Sequence, residues 1–243
     1  MMQRHFRVWA VSLACLAGAC GDEAPEQPGY ELLDPQGMPY GKTYAEWASD
    51  WVRYIYSFAP PGCHDPLRDP TGAHCTEGQD PSSPVFFLVG SLGGPVTRRE
   101  CKVPKGAALF FPLLNTWADT AGLPPEQQLS PADNKAYVEG GAAAFILPSM
   151  YARVDGQEIM DVQAGTMTEA TPYELNYTEP NAYNCIGVEG VNGDFYGNVQ
   201  GTWVMLAPLA PGKHVIEFGG RSKNDTPSAP DFATDTRYEF TVE

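Results

Sequence analysis

Apolar positions fall into two patterns along the chain. Tyr44, Trp47, Ala48, Trp51, Ile55 and Phe58 recur at the spacing that puts side chains on one helical face. Thr43 followed by Glu46 is a capping box, and Pro60-Pro61-Gly62 is a stop, so a helix is predicted over Thr43–Phe58. Such an aromatic stripe is far more often buried on a sheet than offered to a ligand. After residue 84 the pattern changes to short runs bounded by Gly and Pro. Pro84–Gly90 and Ala107–Leu114 are continuous apolar runs, and Pro112 in the second argues for an edge position, a bulge or a bend. Thr97–Val103 alternates less cleanly. Tyr151–Val154 and Gln157–Ile159 flank Asp155-Gly156, a two-residue hairpin signal. Thr202–Leu206, Lys213–Phe218 and Arg237–Val242 close the chain as strands, the last two with clear polar/apolar alternation. Ser130-Pro131 starts a second helix running to about Leu147, weakened by Gly140-Gly141. Residues 165–200, rich in Tyr, Asn, Thr and Gly, read as loops or short strands.

Many short strands, DG and PG turns, one packed helix and no alternating βαβ pattern predict a mainly β domain. The expected form is an antiparallel β-sandwich, with a jelly-roll as one arrangement the pattern admits. The 25 Gly and 23 Pro in 243 residues agree with a turn-rich fold.

The first residues change the setting. Arg4, His5 and Arg7 precede the apolar run Val8–Ala19, which is too short to span a bilayer and fits a signal peptide. Leu16-Ala17-Gly18-Ala19-Cys20 is similar to a bacterial lipobox, with Leu16 one residue further from the cysteine than usual. Cys15 is a second candidate, and Ala17-Gly18-Ala19 would also serve an ordinary secretory cut. The expected organisation is therefore a leader over 1–19, lipidation at Cys20, a flexible Pro/Glu/Asp-rich tether over 20–41 and one domain over 42–243. Gly21 in place of Asp points to the outer membrane. The net charge of −15 disfavours nucleic acid and anionic membrane surfaces as partners.

Four cysteines remain after the leader: Cys63, Cys75, Cys101 and Cys185. In an oxidising compartment they imply two disulfides. Of three pairings, Cys63–Cys75 and Cys101–Cys185 is the expected one, because the first closes a short turn-rich loop. The alternative, a tetrahedral zinc set of Cys63, His64, His74 and Cys75, lacks any C-x-x-C spacing. No metal or cofactor is expected.

Several segments together resemble a family of uncharacterised secreted bacterial proteins. They are Tyr44-x-x-Trp47-x-x-x-Trp51, Asp69-x-Thr71-Gly72-x-x-Cys75-x-x-Gly78-Gln79, Arg99-x-Cys101-x-Val103-Pro104-x-Gly106, Leu109-Phe110-Phe111-Pro112-x-x-Asn115 and Trp203-x-x-Leu206-x-Pro208. The resemblance covers most of the mature chain and implies secretion and a single domain. It implies no activity.

The motifs of serine hydrolases, zincins and P-loop proteins are absent, and Gly90-Ser91-Leu92-Gly93-Gly94 is only superficially like a nucleophile elbow. The first candidate binding surface is the 63–79 loop, with His64, Asp65, Asp69, Thr71, His74 and Gln79. Its alternative is a turn-rich loop whose polar groups cap local backbone. Asn115, Trp117 and Asp119 form a second candidate, and Tyr173–Tyr183, able to stack on a sugar, a third. The leading expectation is an envelope lipoprotein binding a glycan or a protein. A polysaccharide hydrolase with paired carboxylates and a divalent-cation-binding protein are the alternatives.

Overall fold

A computed structural model describes residues 29–243, apart from 161, 163–165, 225 and 227–228. The leader, Cys20 and the start of the expected tether lie outside these residues. Among the described residues no helix is long and apolar enough to cross a membrane.

The fold is mainly β and sandwich-like. One sheet holds β1 (Val85–Phe87), β4 (Ala108–Asp119), β8 (Gly193–Leu206) and β7 (Thr171–Tyr177), in that order. The other has the order β2 (Gly94–Arg98), β10 (Phe232–Val242), β9 (Gly212–Ser222), β5 (Tyr151–Val154) and β6 (Gln157–Glu158). The short β3 (Lys102–Val103) pairs with β10 beyond β2. The expected all-antiparallel pairing needs correction: β1–β4, β2–β10 and β3–β10 are parallel. After β1 the chain crosses to the other sheet for β2 and β3, then returns to lay β4 beside β1 in the same direction.

Helix α1 (Tyr44–Ile55) carries the expected capping box: Thr43 Oγ1 accepts from Glu46 N, and Glu46 Oε2 accepts from Thr43 N. It covers the outer face of the first sheet, so that sheet is buried on both sides. Leu109 and Phe111 face the second sheet, while Ala108 and Phe110 face α1. That explains the unbroken apolar run in β4, where a sheet with one wet face would alternate. The second sheet does alternate: Thr236, Tyr238, Phe240 and Val242 are buried between partly exposed neighbours. Trp203 stands at the centre of the α1 side, stacked on Phe110 at 5.0 Å and edge-on to Trp51 at 5.4 Å.

Pro112 sits at a register shift between Pro112 and Leu114, beyond Phe110, the last residue of β4 that β1 pairs. The proline thus marks a bulge at a place where β4 is a local edge. It also changes which residues face which way. Beyond it, Thr116 packs on Gly141 of α2 (Pro131–Ala143), while Trp117 joins the α1 side. Helix α2 stops four residues earlier than the expected Leu147, which instead begins a 3-10 turn over Leu147–Ser149. The Asp155-Gly156 hairpin forms, with both residues at positive φ.

Two further expectations are corrected. From Gly29 onward the tether is part of the domain: Leu33 N donates to Met205 O, Ala207 N donates to Glu31 O, and Leu32 bridges to Leu206. The segment is held because it fills the edge of β8 opposite β4, beyond the residues that β7 pairs. The disulfides are Cys63–Cys185 and Cys75–Cys101. The 63–75 loop does not close on itself. Arg99 N and Glu100 N donate to Thr71 O and bring Cys101 to Cys75. The short helix α3 (Ala182–Cys185) brings in Cys185. Sequence proximity was no guide to Cβ geometry. With the two cysteines in separate disulfides, the Cys2His2 zinc set cannot form. Both bridges mark an oxidising, exported environment.

The bridges span 122 and 26 residues. Chain entropy then predicts stabilisation of about 5 kcal/mol for Cys63–Cys185 and about 3.5 kcal/mol for Cys75–Cys101. Urea unfolding of the two paired Cys→Ala variants should rank them in that order. The reverse order would show that native packing around Cys75 outweighs loop closure.

Candidate functional site

The 63–79 loop is built around Asp69. Its carboxylate accepts from the backbone N–H groups of Thr71 (2.9 Å), Gly72 (2.9 Å) and His74 (3.0 Å), and from Thr71 Oγ1. Burial pushes its pKa up, but the N–H donors of His74, Thr71 and Gly72 together outweigh that and hold it below the usual carboxylate range. Asp69 and Thr71 are therefore engaged in holding the turn. Gln79 is engaged too: its amide donates to Cys75 O and Phe87 O and accepts from Phe87 N, pinning the loop's end to β1. Three of the six expected loop residues thus serve the architecture.

Beneath the loop lies Arg98, which sequence reasoning passed over. It is 2% exposed, and its guanidinium donates to the carbonyls of Asp69 (2.8 Å), Val89 (3.1 Å), Gly90 (3.2 Å) and Leu67 (3.4 Å). It also lies over the Tyr238 ring, 5.3 Å from its centroid. Gly72 has φ +80°, and a Cβ there would stand 3.0 Å from the Arg98 Cβ, so glycine is required.

His64 and His74 project from this frame. Their rings stack at 3.4 Å between centroids, and each Nδ1 lies 2.7 Å from a different oxygen of Glu77. Hydrogen bonds from His64 and then His74 hold the Glu77 carboxyl below its usual pKa. Glu77 was not anticipated. It follows His74 by three residues, but no helical pattern there signalled that the two would meet. Asp65 accepts from Leu67 N at 2.9 Å and pairs with Arg68.

Two neighbouring clefts open beside the loop. One, about 250 Å³, has an apolar wall of Ile55, Tyr56, Leu92, Trp117, Tyr183 and Ile186, with Asp65 and Arg68 at its polar side. The other, about 390 Å³, runs past Phe58, the Cys63–Cys185 bridge, His64 and His74. Phe58, Asp65, Arg68 and Ile186 belong to both.

The structure brings parts of all three expected surfaces together here. Trp117 Nε1 donates to Tyr56 Oη at 3.1 Å, and the Tyr56 and Tyr183 rings lie parallel with centroids 6.4 Å apart. Asp119 sits behind the wall, accepting from Ala121 N and Tyr183 Oη. Burial raises its pKa, against the lowering effect of Ala121 N and Tyr183. Asn115 lines an adjoining pocket that shares Leu67, Leu92 and Trp117 with the aromatic cleft, and its Nδ2 is buried without a hydrogen-bond partner. Tyr173 is a core residue, its hydroxyl bonded to Ala118 O, and Tyr173 and Tyr177 belong to β7 rather than to a loop.

Comparison with protein-family models, with characterised proteins and with solved structures returned no match.

Two outcomes follow from this geometry. Arg98→Leu removes the donor to the carbonyls of Asp69, Val89, Gly90 and Leu67, of which Val89 O alone keeps Tyr238 Oη, and should cost about 3 kcal/mol in urea unfolding. Arg98→Lys should recover little, because an ammonium cannot reach the same spread of acceptors. Wild-type stability in either variant would show that the guanidinium is dispensable. The second outcome concerns pH. A raised carboxyl pKa means the folded state holds more protons, so the Asp119 contribution is favourable below the ordinary carboxylate range and is lost as pH rises through the folded value. Asp119→Asn should therefore be more stable relative to wild type at about pH 7 than at about pH 4. An unchanged difference across that window would count against the buried carboxyl.

Proposed function

We propose that this chain is a non-enzymatic cell-envelope lipoprotein, anchored to the outer membrane through Cys20, whose sandwich binds a saccharide in the aromatic cleft. The observation that carries the reading is the wall of Tyr56, Trp117 and Tyr183 facing the Asp65–Arg68 pair. Aromatic rings present apolar surface to a sugar face, and a charged pair supplies donors and acceptors for its hydroxyls. A volume of about 250 Å³ suits a single ring better than a large ligand. Two disulfides and the lipobox-like Cys20 support export and anchoring.

A hydrolase would need two carboxylates facing the substrate. Among the described residues Asp65 is the one carboxylate on the aromatic cleft's wall, and it is already engaged by Arg68 and Leu67 N. Binding is therefore the better-supported reading.

Tryptophan emission of the purified protein, titrated with a panel of mono- and oligosaccharides, tests it. At least one saccharide should give a saturable change, weakened roughly tenfold or more by Tyr183→Leu or Arg68→Ala, with no sugar released. The Arg68 side chain is 67% exposed, so that variant should keep the fold. Emission indifferent to every saccharide, or equal binding by both variants, would remove the proposal.

A further inference from the structure

The histidine pair needs an explanation of its own. Two imidazoles stacked face to face at 3.4 Å are not an arrangement that aromatic quadrupoles favour. Here a shared third group sustains it, since both Nδ1 atoms converge on Glu77. One ligand atom from each of His64, His74 and Glu77 lies within 4.8 Å of the others. Two nitrogens bound to one tetrahedral zinc, each at about 2.0–2.1 Å, stand roughly 3.3 Å apart, so ligand atoms within 4.8 Å of one another reach one ion once the stacked rings turn to aim both lone pairs at it.

The frame under these residues is rigid. His64 follows Cys63, which is bridged to Cys185, and His74 precedes Cys75, which is bridged to Cys101. His74 N is fixed to Asp69 Oδ2. The three side chains are 36%, 38% and 54% exposed, and the cleft beside the two rings is open, so an ion can enter and keep water in its remaining positions.

We propose that His64, His74 and Glu77 form a binding site for a borderline divalent transition-metal ion, zinc being the ion the donor set fits. Two imidazoles and one carboxylate suit zinc or copper, whereas calcium takes six to eight oxygens. In the metal-free state the ionised Glu77 accepts from an Nδ1–H of each ring. On binding through Nδ1, each ring carries its proton on Nε2 instead, and the carboxylate turns an oxygen to the ion. No bond to carbon is made or broken. The site goes beyond the saccharide reading and does not rest on it.

Titration calorimetry of the untagged, disulfide-intact protein with zinc chloride alone tests the site. One ion per chain is expected, with calcium neither binding nor competing. His64→Ala, His74→Ala and Glu77→Gln should each weaken binding at least tenfold, since even outer-shell changes cost about that much. Melting in chelator must match wild type for each variant, and His64→Gln or His74→Gln replaces an alanine variant that fails this control. Saccharide titrations repeated in chelator should be unchanged, which separates the two proposals. No zinc binding by the wild type, or wild-type affinity in the His64/His74 double variant, would overturn the assignment.

Discussion

A buried guanidinium organises this end of the molecule. Taking a cation such as Arg98 out of water is costly, and the cost is offset only where its donors meet good acceptors. Its acceptors are backbone carbonyls from two segments, Leu67 and Asp69 in the long loop and Val89 and Gly90 after β1. Arg98 itself belongs to β2, in the opposite sheet from β1. One side chain therefore ties the two sheets to the loop. Tyr238 completes the arrangement from β10: its ring lies under the guanidinium, and its hydroxyl exchanges hydrogen bonds with Val89.

The site inherits its order from that arrangement. For Asp69 to point its carbonyl at Arg98, its side chain must fold back over Thr71, Gly72 and His74, and that turn sets the direction of the His74 backbone. The Cys75–Cys101 bridge then fixes the next residue to the strand region following Arg98. His64 is placed from another direction, by the bridge from Cys63 to α3. The imidazole pair is thus assembled from two independently anchored pieces of chain, and the cleft lies where those pieces meet the end of α1.

The architecture was legible wherever a local rule applied. The capping box at Thr43–Glu46, the Asp155-Gly156 turn and the alternation in β10 each follow from nearest neighbours, and each is present. Parallel pairing was hidden, because it depends on a chain that leaves one sheet and returns to it. The disulfide partners were hidden for the same reason: Cys63 and Cys185 meet only once α1, β4 and β7 have stacked. Trp117 and Asp119 read as following the buried run, whereas they belong to β4, and that Trp117 meets Tyr56 depends on the Pro112 bulge. Arg98 gave no signal, since a single basic residue in an indistinct strand reads as surface.

A division of labour follows among the polar groups of the loop. Asp69, Thr71 and Gln79 spend their hydrogen-bonding capacity on backbone, so exchanging ligands would cost the turn itself. His64, His74 and Glu77 are bonded chiefly to one another and are accessible, so replacing those bonds by bonds to an ion leaves the frame intact. Asp65 is held at the cleft by Arg68 and Leu67 N, whereas Asp119 is half-buried behind the aromatic wall, where desolvation favours its neutral form. The His64, His74 and Glu77 side chains therefore stand at the surface of the loop, and the side chains committed to its backbone, Asp69, Thr71 and Gln79, hold the frame that carries them.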